Sequence, residues 1–396
     1  MKVMTMILIV FMALLCSAAA PTITGVTAQQ RYPWNGKVDI SYTVAGDVPA
    51  GATLKVMATD RTANNTYTAT KFSGDRALTA GTHSVVWDMD AEGLAFKSTN
   101  VVFRITYEIV STEATYCIID LSVGTNVWSY PVSYMTSPPV GGFNTDEYKT
   151  NKLVLRRIEP GTFIMGDADD YENKPHMVTL TKPFYCGIFE VTQKQYQLIM
   201  NHERMVSTYK GDMRPVENVS YDEIRGGYEG QRWPLSSAVD SSSFLGKLRS
   251  RTGFDFDLPT EAQWEYACRA GTTSKYNNGG DADDELSQLG RYDGNQSDGK
   301  GGYYEHTTVG SYQPNTWGIY DMHGNVCELC LDLYASQMTG GTDPRGSWTS
   351  TTTYHIYRGG NWGSGSSFCS SYHRDAVPSE IDRAWLGFRL VRNLSN

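Results

Sequence analysis

Apolar and polar side chains alternate with period two from Pro21 to about Ile109, and that rhythm constrains the first part of the chain more than any other feature. Val38, Ile40, Tyr42 and Val44 alternate with polar neighbours, as do Leu54, Val56 and Ala58, and then Val101, Phe103, Ile105, Tyr107 and Ile109. Such a pattern places one side-chain set on each face of a strand, so it predicts half-buried β-strands rather than helices. Turn formers break the runs at "AGDVPAG", "TANNT", "SGD", "TAGTH" and "DAEG". The spacing of the strand starts predicts a small immunoglobulin-like or fibronectin-like β-sandwich over 21–110. No catalytic constellation lies within it.

After about residue 150 the texture changes to short capped helices among glycine-rich and aromatic loops. With 396 residues the chain is too long for one ordinary core. Its 38 glycines, 25 tyrosines and 9 tryptophans point to a loop-rich, aromatic-packed body rather than a bundle. Residues 111–150 read as a linker holding one strand, "TYCIIDLSV", followed by the turn-rich "TSPPVGGFNTDEYKT". Three capping boxes mark helix starts at Thr192 with Gln195, Ser220 with Glu223 and Thr260 with Gln263. A fourth helix is predicted from about Ala238 to Ser250, stopped by Gly253.

The first twenty residues, "MKVMTMILIVFMALLCSAAA", join Lys2 to an apolar run from Met6 to Leu15 and then to small residues. They read as a signal peptide, which predicts export to the cell envelope, the periplasm or the medium. Cys16 follows the bulky Leu15, which disfavours lipidation. No later run approaches the roughly 20 apolar residues of a membrane span. The net charge of −9 supplies no general field for nucleic acid, so none is expected as a partner. Cleavage of the leader leaves six cysteines, Cys117, Cys186, Cys268, Cys327, Cys330 and Cys369, whose pairing the sequence leaves open. The seven histidines show no spacing for zinc or iron.

Seven ordered blocks carry a resemblance: "GTFIMGD" (161–167), "FEVTQKQY" (189–196), "RPVENVSYDE" (214–223), "LPTEAQWEYACRAGT" (258–272), "GIYDMHGNVCELCLD" (318–332), "RGGNW" (358–362) and "LGFRLV" (386–391). Residues 151–396 thereby resemble the formylglycine-generating enzyme, or sulfatase-modifying factor, domain family. The resemblance implies an α+β domain related to the C-type lectin fold, with little regular secondary structure. The family's best known activity uses oxygen to convert a cysteine of an exported sulfatase into formylglycine. Two cysteines five residues apart hold Cu(I) in the enzymes that do this. Aligned through "RGGNW", the second falls on Cys369 and the first on Ser364. Cu(I) is soft and favours thiolate over a neutral hydroxyl, so copper is not expected here.

Cys327 and Cys330 have the spacing of a thioredoxin-like pair, but no strand-to-helix setting surrounds them, and the spacing reads as accidental. Cys330 stands where many bacterial members carry cysteine, and a disulfide or buried thiol pair between Cys330 and Cys369 is the expected brace for the loop. The "DMHGNVCE" turn suits a hard cation. Asp321 and Glu328 offer carboxylate oxygens and Gly324 and Val326 offer carbonyls, a Ca²⁺ set that matches a site the resemblance implies. A second such site falls at Asn295 and Tyr303, with Gly301 where an acid is expected. Arg358, Arg374 and Arg389 are expected to pair internally with Asp321, Asp332 or Asp375. The leading expectation is a Ca²⁺-stabilised recognition domain without oxidase activity, binding an exported protein or glycan in a cleft at Asn361 and Trp362. The alternatives are an oxidoreductase acting through Cys369, and a structural envelope component.

Overall fold

A computed structural model describes residues 22–31, 36–46, 52–61, 65–94, 101–109, 114–125, 127, 129–168, 170, 173–201, 207–227, 230–300, 302, 304–336, 340–346 and 353–394. The leader proposed from the sequence lies outside them, as does Tyr303. The chain divides into two compact units, Met1–Ser111 and Thr112–Asn396.

Among the described residues the first unit is built of β-strands, apart from one 3-10 turn at Asp90–Glu92. One sheet runs in the order β1 (Thr22–Gln30), β2 (Lys37–Ala45), β6 (Gly81–Asp88), β5 (Phe72–Gly74); the other runs β4 (Asn65–Ala69), β3 (Ala52–Asp60), β7 (Val101–Ile109). Every pairing is antiparallel. On β2 the alternation holds to the residue: Val38, Ile40, Tyr42 and Val44 are buried while Asp39 is exposed. Those four join Val85 and Trp87 of the same sheet and Val56, Ala58 and Ile105 of the other in one apolar cluster, so the two sheets share a single core.

Among its described residues the second unit contains three sheets. The largest has the order β14 (Phe256–Asp257), β20 (Val391–Asn393), β13 (Phe184–Gly187), β10 (Lys152–Ile158), β8 (Tyr116–Asp120), β9 (Val132–Met135). A second has the order β18 (Arg374–Pro378), β17 (Tyr354–Arg358), β15 (Cys327–Leu333), β19 (Leu386–Gly387). A third joins β11 (Gly161–Met165), β12 (His176–Leu180) and β16 (Gly341–Thr342). The expected linker at 111–150 is corrected here. It supplies β8 and β9 to the largest sheet and α1 (Asp146–Thr150) besides, because Cys117, Ile119 and Leu121 are fully buried in that unit's core.

Helices α2 (Gln193–Met200), α3 (Tyr221–Arg225) and α5 (Glu261–Arg269) each begin with the capping box expected from sequence. At α5, Thr260 Oγ1 accepts from Gln263 N at 3.1 Å and Gln263 Oε1 accepts from Thr260 N at 3.0 Å. Helix α4 (Phe244–Thr252) starts later than expected, because Ser243 caps it by accepting from Gly246 N at 3.1 Å. Gly253 stops it in the left-handed region, φ 70°.

Candidate functional site

The site is built where β15 and β17 leave their sheet. Their register pairs Glu328 with Arg358, so Cys327 lies beside the start of the loop that follows Arg358. Gly359 and Gly360 turn the chain there with φ 93° and 69°. At Gly360 a side chain is excluded, since a Cβ would lie 2.6 Å from the Cys369 sulfur.

Beyond the glycines the loop closes on itself. Asn361 N donates to Ser364 Oγ at 3.1 Å, Ser364 N donates to Asn361 O at 2.9 Å, and Gly363 N donates to Asn361 Oδ1 at 2.8 Å. Ser364 also accepts from Asp293 N at 3.0 Å through its carbonyl. Trp362 is held through its backbone by Asn325 O at 3.0 Å and by the Gln296 amide. Both Asn361 and Trp362 remain half-buried, and Phe368 is 51% exposed.

Cys369 is fully buried in a pocket with Tyr276, Leu286, Leu289 and Tyr292. Burial pushes its thiol well above the usual range, and Cys327 to about 12, so neither is a ready thiolate. His323 fixes the loop from behind. Its Nε2 accepts from Asn277 N at 3.1 Å, which leaves Nδ1 to donate to Cys369 O at 2.7 Å. Burial pushes that imidazole down to about 4, so it is neutral.

All six cysteines of the described residues are free and buried. The expected Cys330–Cys369 brace is corrected. Cys327 and Cys330 lie three apart on a strand and therefore face opposite sides, Cys330 entering the core with Cys186 and Ile319. Cys327 is the thiol near Cys369: Asn361 Nδ2 reaches its sulfur at 3.4 Å, and the Asn361 backbone hydrogen-bonds the Cys369 sulfur.

The arginines find acids other than those expected. Arg389 makes a bidentate pair with Glu328, both contacts 2.6 Å, and Trp264 Nε1 donates to the same carboxylate at 2.7 Å. Arg374 grips Glu261 at 2.8 and 3.0 Å, while Arg358 pairs with Glu261 at 3.1 Å and with Glu265. Glu261 and Glu265 are one turn apart on α5, and two acids on one buried helix face draw both cations.

Around the "DMHGNVCE" turn, Asp321 Oδ2 accepts from Gly310 N at 2.6 Å, whereas Oδ1 is buried without a hydrogen-bond partner. Glu190, which sequence reading missed, lies nearby and accepts from Asn325 Nδ2 at 2.6 Å and Val326 N at 3.1 Å. Burial, with Asp321 and Glu328 close, raises Glu190 well above the carboxylate range; burial likewise raises Asp321 to about 6. Glu328 is already committed to Arg389. Among the described residues no three His, Cys, Asp or Glu side chains form a metal cluster. At the second expected site Asn295 serves its own turn, bonding Gly290 O at 2.8 Å and Tyr292 N at 3.0 Å. Among the described residues no helix is long and apolar enough to cross a membrane.

Several known proteins share this second unit. The chain is 34% identical over 152 residues to a formylglycine-generating enzyme of Streptomyces coelicolor, covering 34% of this chain and 46% of that one. It is 28% identical over 239 residues to the chaperone protein LppX of Paenibacillus barcinonensis, covering 54% and 79%. It thus spans about half the length of the formylglycine-generating enzymes of S. coelicolor and Thermomonospora curvata. In structure it overlays Treponema denticola variable protein 1 with TM-score 0.51 at 24% identity, over 61% of this chain and 96% of that one, which speaks to the fold. Residues 143–394 match the sulfatase-modifying factor enzyme 1-like domain, and the chain belongs to that family.

Proposed function

We propose that this chain is an exported recognition protein whose sulfatase-modifying-factor domain has given up copper oxidation and binds a protein ligand beside the 361–369 loop. The observation that carries the reading is the state of that loop. Ser364, which replaces a copper thiolate, is spent closing a turn on Asn361, and Cys369 is sealed from solvent. Half-buried Trp362 and Asn361 offer an aromatic face and a polar edge that suit a peptide or a sugar. The relative named a chaperone favours protein over glycan. The immunoglobulin-like sandwich serves as a spacer or docking module.

Ca²⁺ belongs to this reading as a structural ion. The unpartnered Asp321 Oδ1 and the adjacent Glu190 belong to acids that burial favours in the protonated form, so a cation would take the place of their protons, and the carbonyls of Gly324 and Val326 would complete an oxygen set. Glu328 contributes as the counter-ion of Arg389. A bound ion supplies charge compensation to the turn that carries His323 and Asn325.

One observation favours a second reading, an oxidoreductase, in which Cys327 replaces the missing thiol: Asn361 touches both sulfurs. Incubation with Cu(I), oxygen and a peptide carrying C-x-P-x-R separates the two. No aldehyde by mass spectrometry is expected; conversion lost in Cys369→Ala overturns the recognition reading. Equilibrium dialysis tests the ion, with uptake expected in the parent and not in Asp321→Asn.

A further inference from the structure

In the first unit His83 stands on β6 opposite Tyr42 of β2, and its side chain is 8% exposed, so the protein supplies its partners. Both ring nitrogens meet acceptors. Nδ1 lies 2.9 Å from Asp75 Oδ2, and Nε2 lies 2.7 Å from the Thr79 carbonyl oxygen. A neutral imidazole carries one N–H, so only the imidazolium donates to both at once. The two acceptors lie at opposite ends of the segment 75–79, which runs between β5 and β6. The Asp75 end has further holds: its Oδ1 accepts from Ala77 N at 2.8 Å, and the Tyr42 hydroxyl donates to Ala77 O at 3.0 Å. Among the described residues the Thr79 carbonyl has His83 alone. Leu78, next to it, packs partly buried on the sandwich core.

The groups facing the ring leave Asp75 as its one charged partner. The Asp75 bond, and after it the Thr79 bond, raises His83 above its ordinary value of 6.5, and the same contact lowers Asp75. Tyr42, which faces the ring from β2 with centroids 5.6 Å apart, stays neutral because burial raises it to about 12. Arg76 turns to β5 instead, donating to Phe72 O at 2.9 Å and lying over the Phe72 ring at 5.6 Å. Thr82 and Ser84, the neighbours on β6, carry no charge.

We infer that His83 is a pH-operated latch on the segment 75–79: as an imidazolium it ties Asp75 to Thr79, and on losing its proton it lets go of Thr79 and frees Leu78 from the core. The remaining N–H stays with the carboxylate, because a hydrogen bond to a charged acceptor is the stronger of the two. The Nε2 lone pair then faces the Thr79 carbonyl oxygen, two acceptors with no proton between them. Since the folded group holds its proton more tightly than the unfolded one, the latch's contribution is fully present below pH 6.5 and is lost as pH rises through the raised value. The first unit thus presents a closed segment in mildly acidic surroundings and an open one with Leu78 uncovered in alkaline ones. The inference concerns that unit alone and is independent of what the 361–369 loop binds.

The test uses the full chain with ¹⁵N-labelled histidine, titrated between about pH 5 and 9, with amide hydrogen exchange of the peptide covering 76–82 corrected for the intrinsic rate at each pH. His83 is expected to carry protons on both nitrogens below a midpoint above 6.5, and exchange of the segment is expected to rise about fivefold across that same midpoint, as one lost hydrogen bond allows. His83→Gln keeps a donor that does not titrate and is expected to remove the step. Should it fail to fold, Asp75→Asn is expected to lower the midpoint by about one pH unit and to carry the exchange step with it. A midpoint at or below 6.5, exchange without a step at the midpoint, or a step unchanged in whichever variant folds overturns the inference. A histidine that only fills space would alter exchange equally at every pH, which overturns it as well.

Discussion

In the N-terminal unit the largest fully buried side chains are Trp87 and Tyr42; in the C-terminal unit they include Arg225, Arg291, Arg358, Arg389 and Arg392. The first unit hides apolar faces that recur every second residue, and its ion pairs, such as Arg31 with Asp39, sit in solvent. The second hides charge. Arg389 and Glu328 are 61 residues apart and Arg358 and Glu265 are 93 apart, yet all four are buried. A core of the first kind tolerates exchange of one apolar residue for another of similar size. A core of the second kind accepts little exchange, since removing one partner strands the other as a buried charge.

The largest expected effect comes from stranding such a charge. Arg389→Met leaves Glu328 buried without its counter-ion and is expected to cost about 3–5 kcal/mol. Trp87→Ala, which empties the other core, is expected to cost a similar ~3–5 kcal/mol through its cavity. Each variant should lower only its own unit's transition in denaturant unfolding monitored by hydrogen exchange; a shared loss would break the division between the units.

Acid should separate the units next. His323, neutral in the fold and held down to about 4, takes up its proton on unfolding below its ordinary value near 6.5. Its contribution is therefore present above pH 6.5 and is lost as pH falls toward 4, by up to about 3 kcal/mol. Asp332, raised to about 7 by burial beside Glu261, pulls the other way over the same range. The comparison of parent with His323→Gln across pH 4–7 isolates the histidine, and identical slopes would exclude it.

The smallest effect sharpens the local side of the contrast. Thr260→Ala removes a cap whose logic is visible in four consecutive residues and is expected to cost about 1 kcal/mol in the second unit's melt.

The caps at Thr192, Ser220 and Thr260 and the strands of the first unit were legible because each depends on neighbours within a few residues. The seven ordered blocks likewise pointed to the loop, and the resemblance they carry implies a thiol where Ser364 stands. The linker was misread because buried strands such as β8 lack alternation; four of its five residues are buried. The arginine partners were misread because proximity across 61 to 113 residues follows from how the strands and helix α5 pack, and the Cys330 brace because strand alternation turns Cys330 away from Cys327 and into the core. Glu190 sits inside the "FEVTQKQY" block, yet nothing in that block names its partners, since Asn325 and Val326 lie far along the chain.

Pattern by itself therefore determined where three capped helices and strands of the first unit such as β2 begin and that this unit has an alternating core, while the resemblance carried by the seven blocks implied a thiol where Ser364 stands. Only the tertiary structure decided which thiol stands near Cys369, which acid holds each buried arginine, and where carboxylate oxygen is left unpaired. Local backbone preferences act through bonds and near neighbours, whereas a buried charge is satisfied by whatever the folded sheets bring within about 3 Å of it.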